Sequence, residues 1–292
     1  MFDGTYTALV TPFRDGDVDE PALRALVAEQ IAAGVEGVVP CGSTGESATM
    51  NHEEHERVIA LVVEEVAGRA KVIAGTGSNN TGEAASLTKF AKDAGADAAL
   101  LISPYYNKPT QAGHVEHYRR IADAAELPLF VYNIPGRTGV NMTPETIAAM
   151  AAHPYIVGVK EASGSLDQVS QIRRLAGPDF VILSGDDSLT LPMMAVGARG
   201  VISVTSNLLP EKMRAMVNAA LAGDFETARR IHFELLPLMT TLFIESNPIP
   251  VKTAMAMLGK MGEELRMPLT PITDASRAEL TKALADAGLS AS

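Results

Sequence analysis

A single cysteine, Cys41, stands in 292 residues. It excludes an intrachain disulfide framework and fits a chain kept in a reducing compartment. Basic charge is scarce as well. Against 35 Asp and Glu there are 24 Lys and Arg, a formal net charge of −11, and no Lys/Arg cluster exceeds a dipeptide. That balance argues against nucleic acid or an anionic membrane surface as the main partner. Long apolar runs are missing too, so no stretch reads as a membrane span. The opening "MFDGTYTALVTPFRDGD" carries Asp3 where a signal peptide would carry positive charge. A cytoplasmic protein acting on small molecules is expected.

What is present is a regular alternation. Short apolar or β-branched runs begin at Tyr6 ("YTALV"), Gly37 ("GVVP"), Lys71 ("KVIAG"), Ala98 ("AALLI"), Leu129 ("LFVYN"), Ile156 ("IVGVK"), Phe180 ("FVILSG") and Gly200 ("GVISV"). The spacing leaves room for a strand, a helix and two loops each time, which is the parallel βαβ repeat. Eight such units predict an α/β fold closed into a (β/α)8 (TIM) barrel. A degenerate repeat, "AGVEGVV", "AGADAAL" and "VGARGVI", places Gly34, Gly95 and Gly197 just past a helix end, where a residue without Cβ is favoured. After Leu221 the strand signal stops and three helical segments follow. The expected division is a barrel over residues 1–221 and a helical appendage over 222–292.

Catalytic groups in such barrels come from the C-terminal ends of strands. Those ends carry "CGSTGES", "GTGSNN", "SPYYNKP", "YNIPGRTG", "KEASG", "SGDD" and "SVTSN". Lys160 ends the sixth run and Tyr132 the fifth, one βα unit earlier, so amine and phenol fall on neighbouring strands about 4.8 Å apart. A desolvated lysine is a nucleophile for a carbonyl carbon, and a tyrosine can move the protons that imine formation requires. The competing reading is a lysine snorkelling to the rim or paired with an acid. By the two-residue period Glu161 points to the other face of the strand and is not that acid. Ser43 and Thr44 form either a carboxylate or phosphate cradle or a tight turn. Arg137 suits a carboxylate at a pocket mouth, or is a solvated loop residue.

Metal chemistry is not indicated. "SGDD" reads as helix capping by Asp186 or Asp187. "NHEEH" lacks the i, i+4 histidine spacing of a metalloprotease helix, and Asn51 with Glu54 reads as a capping box. Cys41 is expected to pack rather than react. Lys252 is expected to open a C-terminal helix after "NPIP".

The strings "ALVTPF", "STGESAT", "GTGSN", "PYYNKPT", "YNIPGRTG", "GVKEASG", "LSGDD", "GVISVTSN", "ESNPIPVK" and "PLTPITD" occur in an order and spacing that resembles the 4-hydroxy-tetrahydrodipicolinate synthase (dihydrodipicolinate synthase) family over nearly the whole chain. The resemblance implies a Schiff-base lyase that condenses pyruvate with L-aspartate 4-semialdehyde in lysine (diaminopimelate) biosynthesis, with no cofactor and no metal. It implies Lys160 as the imine-forming residue and Tyr132 as general acid/base, linked through Ser43 to Tyr106 of a neighbouring subunit in a dimer or, more usually, a tetramer. Thr44 and the Ile202 backbone would hold the pyruvate carboxylate, Gly185 would line the pocket, and Arg137 would take the semialdehyde's carboxylate. It also implies L-lysine as an allosteric inhibitor, bound by Ser47, Ala48, His52, His55, Asn79, Glu83 and Tyr105. One position departs from the pattern: Ser43 stands where these synthases usually carry threonine, and "GSTGE" is also the form of the related N-acetylneuraminate lyases. Another pyruvate-dependent aldolase, a non-catalytic carboxylate-binding barrel and a phosphosugar-binding barrel are the alternatives.

Overall fold

The structure, a computed structural model, describes residues 2–289. Eight parallel strands close a barrel in which every strand pairs with its neighbour in the chain and the last with the first. They are β1 (Gly4–Ala8), β4 (Gly37–Val39), β5 (Lys71–Gly75), β6 (Ala98–Ile102), β7 (Leu129–Asn133), β8 (Ile156–Glu161), β9 (Val181–Ser184) and β10 (Gly200–Ser203). A two-stranded hairpin, β2 (Phe13–Arg14) and β3 (Asp17–Val18), follows β1. The crossovers are α1 (Glu20–Ala32), α2 (His52–Val66), α3 (Thr81–Ala94), α4 (Gln111–Ala125), α5 with α6 (Pro135–Thr138 and Pro144–Ala151), α7 (Leu166–Ala176), α8 (Thr190–Ala195) and α9 (Pro210–Leu221). Three further helices follow: α10 (Phe225–Thr241), α11 (Ile249–Met257) and α12 (Asp274–Asp286). None of the described helices is long and apolar enough to cross a membrane.

The eight predicted strands are all present. The first begins at Gly4 rather than Tyr6, and the seventh at Val181 rather than Phe180. Gly4 and Thr5 extend β1 by pairing with Gly200 and Val201 of β10. Thr5 and Thr7 do not look like core residues, yet both are buried, and the Thr7 hydroxyl donates to Gln30 Oε1 of α1 at 2.6 Å. The hairpin turns on Asp15 and Gly16, both at positive φ, a pair suited to a tight hairpin turn. Gly34, Gly95 and Gly197 have φ of 78°, 98° and 105°, as their positions after helices require.

Strand periodicity sorts the core into layers. In β7, Leu129 and Val131 face the helices, whereas Phe130 and Tyr132 join Tyr6, Leu100, Leu183 and Ile202 inside the barrel. Gly158 of β8 makes room there, because a Cβ would lie 2.5 Å from the Phe130 ring. Two residues on, Lys160 therefore points into the same lumen. A separate apolar cluster joins Val10, Leu26, Val204 and Leu208 of the barrel to Leu238 of α10, Val251 and Met255 of α11 and Leu280 and Leu284 of α12. The last three helices are thus packed onto the barrel through a shared core, near the strand ends that carry the polar loops.

Candidate active site

Lys160 and Tyr132 are direct register partners on β8 and β7. The lysine Nζ lies 4.3 Å from the centroid of the phenol ring. Both side chains are buried, and Lys160 forms no ion pair among the described residues. Burial disfavours the ammonium and draws the Lys160 pKa down to about 8, with nearby Arg137 adding to the effect and Asp187 opposing it. Burial also raises Tyr132 to about 12, against the pull of Arg137 and of a hydrogen bond with Ser43. Near neutral pH the pair therefore holds a phenol that keeps its proton beside an amine that can lose its own.

Gly185, after β9, keeps this corner open, since a Cβ would lie 2.7 Å from Ala162 Cβ and 3.1 Å from Lys160 Cε. Ile202 of β10 lies in the same lumen cluster as Tyr132. Asp187 is buried below the site. Its Oδ2 accepts from the backbone N–H groups of Val204 and Thr205 at 3.0 and 2.8 Å and from the Thr205 hydroxyl at 2.9 Å. Those bonds tie the loop after β9 to the end of β10. Asp186 caps the short 3-10 turn that follows, accepting from Ser188 N–H. Glu161 faces away, as its place on the strand predicts, and its carboxylate accepts from Asn133, Ser163 and Gln168.

Above the pair opens a cavity of about 440 Å³. Ser43, Tyr132, Arg137, His52, Glu83 and Tyr105 are among the residues that line it. Lys160 does not itself line the wall, but Tyr132, on whose ring its Nζ rests, does. Among the other residues tied to lysine, Ser47, Ala48 and His55 also border this cavity, whereas Asn79 does not. Asn79 instead donates to the Tyr105 carbonyl at 3.2 Å. His52 Nε2 is 2.8 Å from Glu83 Oε1, and the Ser78 hydroxyl donates to the other oxygen of Glu83. His55 donates through Nε2 to the Gly75 carbonyl at 2.7 Å, and burial lowers its pKa. Tyr106 stands apart, 89% exposed, and no hydrogen bond among the described residues links it to Ser43.

Of two further site residues, Asn247 had no individual signal in the sequence and Lys252 was read only as a helix start. Asn247, just before α11, donates through Nδ2 to Thr44 Oγ1 at 2.9 Å, and its carbonyl accepts from Arg137 Nη2 at 2.9 Å. It thus braces a hydroxyl and a guanidinium that come from different loops. Lys252 lies in the first turn of α11, near its expected place, but its side chain is not a helix-start surface group. It is fully buried, with Nζ 2.5 Å from Glu46 Oε1. Asn51 and Glu54 form the expected capping box, and Cys41 is buried, where burial pushes its thiol far from ionisation. No group of three or more potential metal ligands occurs among the described residues.

The arrangement has close counterparts. The model of the dihydrodipicolinate synthetase family matches residues 1–287. A 4-hydroxy-tetrahydrodipicolinate synthase of Geotalea uraniireducens (strain Rf4) is 54% identical over 289 residues, covering 99% of this chain and all of that protein. The chloride-inhibited dihydrodipicolinate synthase of Acinetobacter baumannii, solved with pyruvate, superposes with a TM-score of 0.97 at 44% identity, covering 99% of this chain and all of that one. The enzyme of Cyanidioschyzon merolae, solved with lysine bound, gives a TM-score of 0.96 at 44% identity, with 99% of each chain covered. With residues 1–287 matched by the family model and a relative 54% identical over 99% of the chain, the chain belongs to the dihydrodipicolinate synthetase family.

Proposed function

We propose that the protein condenses pyruvate with L-aspartate 4-semialdehyde to 4-hydroxy-tetrahydrodipicolinate through an imine on Lys160. The observation that carries this reading is a buried lysine of lowered pKa, without an ion pair among the described residues, packed on a tyrosine that lines the cavity. The neutral amine adds to the keto carbon of pyruvate. Tyr132 donates the proton that lets the carbinolamine lose water, and the Ser43 hydroxyl returns it. Loss of a methyl proton then gives an enamine whose carbon attacks the aldehyde. The aldehyde oxygen takes up a proton to become the hydroxyl, and the semialdehyde's own amino group displaces Lys160 from the imine carbon, closing the ring and freeing the lysine. Thr44 and the Ile202 backbone hold the pyruvate carboxylate, Gly185 leaves the space, and Arg137 takes the carboxylate of the second substrate. No cofactor enters this scheme.

Tyr106, exposed on one chain, completes the Ser43 proton path from a neighbouring subunit, so the working form is an oligomer, a tetramer in this reading. L-lysine binds among Ser47, Ala48, His52, His55, Asn79, Glu83 and Tyr105, and it inhibits. The protein works in the cytoplasm. The barrel over 1–221 supplies the chemistry, and the helical unit over 222–292 braces it.

Pyruvate with borohydride should leave a reduced adduct on Lys160, located by peptide mass spectrometry, and turnover should require the semialdehyde rather than N-acetylneuraminate. Absence of an adduct overturns the imine; turnover of the sugar acid alone overturns the second substrate. Initial rates unchanged by millimolar lysine would remove the inhibitor, and a monomer in sedimentation that is fully active would remove the role of Tyr106.

A further inference from the structure

The loop after β4 carries Ser43 and Thr44 between two residues in the left-handed region, Cys41 at φ 56° and Glu46 at φ 54°. Neither is glycine, so each conformation must be held by its surroundings. The Cys41 end is held by the barrel, where a Cβ on Gly75 would lie 2.2 Å from the Cys41 carbonyl oxygen. The Glu46 end is held by its own side chain, which turns inward instead of reaching water. Its Oε1 meets Lys252 Nζ at 2.5 Å, and its Oε2 accepts from the Arg266 backbone N–H at 3.0 Å. The carboxylate is 1% exposed and the ammonium not at all. The Arg266 guanidinium continues the hold, bonding Glu54 Oε2 at 2.9 Å and the Thr49 carbonyl at 3.3 Å, while Phe13 lies under both cations at 4.4 and 4.2 Å.

A buried ion pair is a poor source of stability, since an apolar pair of similar volume would serve the fold about as well. What it supplies here is a fixed place. Five residues before Lys252 on the same segment, Asn247 donates to Thr44. The segment leading into α11 therefore grips the loop twice, once at the left-handed residue and once at the hydroxyl.

We infer that Lys252 and Glu46, with Arg266, are positioning residues that hold the Ser43–Thr44 loop in the conformation that receives the keto-acid carboxylate. This deepens the proposed function and rests on it for the identity of the ligand. The pair touches neither ligand nor Lys160. It acts by keeping residue 46 left-handed, and so by fixing the direction in which the Thr44 hydroxyl points.

The test compares the full-length protein with the double variant E46L/K252M and with the near-isosteric E46Q. Two readouts are taken: the pyruvate concentration that half-saturates borohydride trapping on Lys160, and amide hydrogen exchange over residues 42–47. In the double variant the fold persists by circular dichroism, the adduct still forms on Lys160, half-saturation rises at least tenfold, and exchange over 42–47 quickens at least tenfold. E46Q shows the same direction with a smaller change, because its amide oxygen can still accept from Arg266. Unchanged half-saturation and exchange in a folded variant overturn the inference; if the double variant does not fold, E46Q decides by the same criteria. A native protein that forms no adduct overturns the imine chemistry instead, and the exchange readout then judges the loop by itself.

Discussion

Two lysines are buried among the described residues, and their surroundings treat them differently. Lys252 is met by a carboxylate at 2.5 Å and an aromatic face; burial lowers its pKa and Glu46 opposes that lowering. Lys160 has an aromatic face and no ion pair among the described residues, so its charge is made expensive. Desolvation acts on both; the partner decides the outcome. The first lysine serves as a fixed cation, the second as an amine. Residue type alone did not separate them.

Removing the amine should have the largest effect on this contrast. Lys160→Met is expected to lower kcat/KM by roughly 10⁴-fold or more, as loss of a nucleophile does, while the melting temperature holds or rises because a buried amine has gone. Trapping and calorimetry read the two. Tyr132→Phe comes next, with a fall of about 10²- to 10⁴-fold in the rate of imine formation, the usual range for a lost acid/base group; stopped-flow mixing with pyruvate measures it.

Breaking the other lysine alone should cost stability as well as loop order. Lys252→Met by itself leaves Glu46 buried without its counter-charge and is expected to cost about 3–5 kcal/mol in denaturant unfolding. Were the two lysines equivalent, Lys160→Met would cost as much, which is the result that would dissolve the distinction.

The smallest expected effect sharpens the tuning of Lys160. Its reactive form is the neutral amine, so imine formation should rise with pH through about 8. Asp187 favours the ammonium; taking its charge away with Asp187→Asn lowers the Lys160 pKa and should move that limb to lower pH. A limb that stays in place or moves upward would show that Asp187 serves only the bonds to Val204 and Thr205.

The barrel and the Lys160–Tyr132 pair could be read from the chain because both rest on local periodicity. One strand period puts each side chain in the lumen, and one βα unit separates them. The Asn51–Glu54 cap was legible for the same reason. The hairpin at Asp15–Gly16 carried an ordinary turn signal but lies inside a loop between units, where the alternation does not extend. Asn247, Glu46, Lys252 and Arg266 were hidden for a different reason. Glu46 and Lys252 are 206 residues apart in sequence, and nothing in either neighbourhood marks that they meet. Tyr106 had no legible partner within its own chain.

The separation in sequence also sets an order in time. The barrel's seam joins β1 to β10, so Gly4 waits for Gly200 before the ring can close. Lys252 and Arg266 come later still. At roughly 5–20 residues per second of synthesis, a ribosome that has released the whole barrel needs several more seconds to deliver the cations that seize Glu46. During that interval the nascent chain owns its amine and its phenol but not the settled loop above them, and it is born closed before it is born competent.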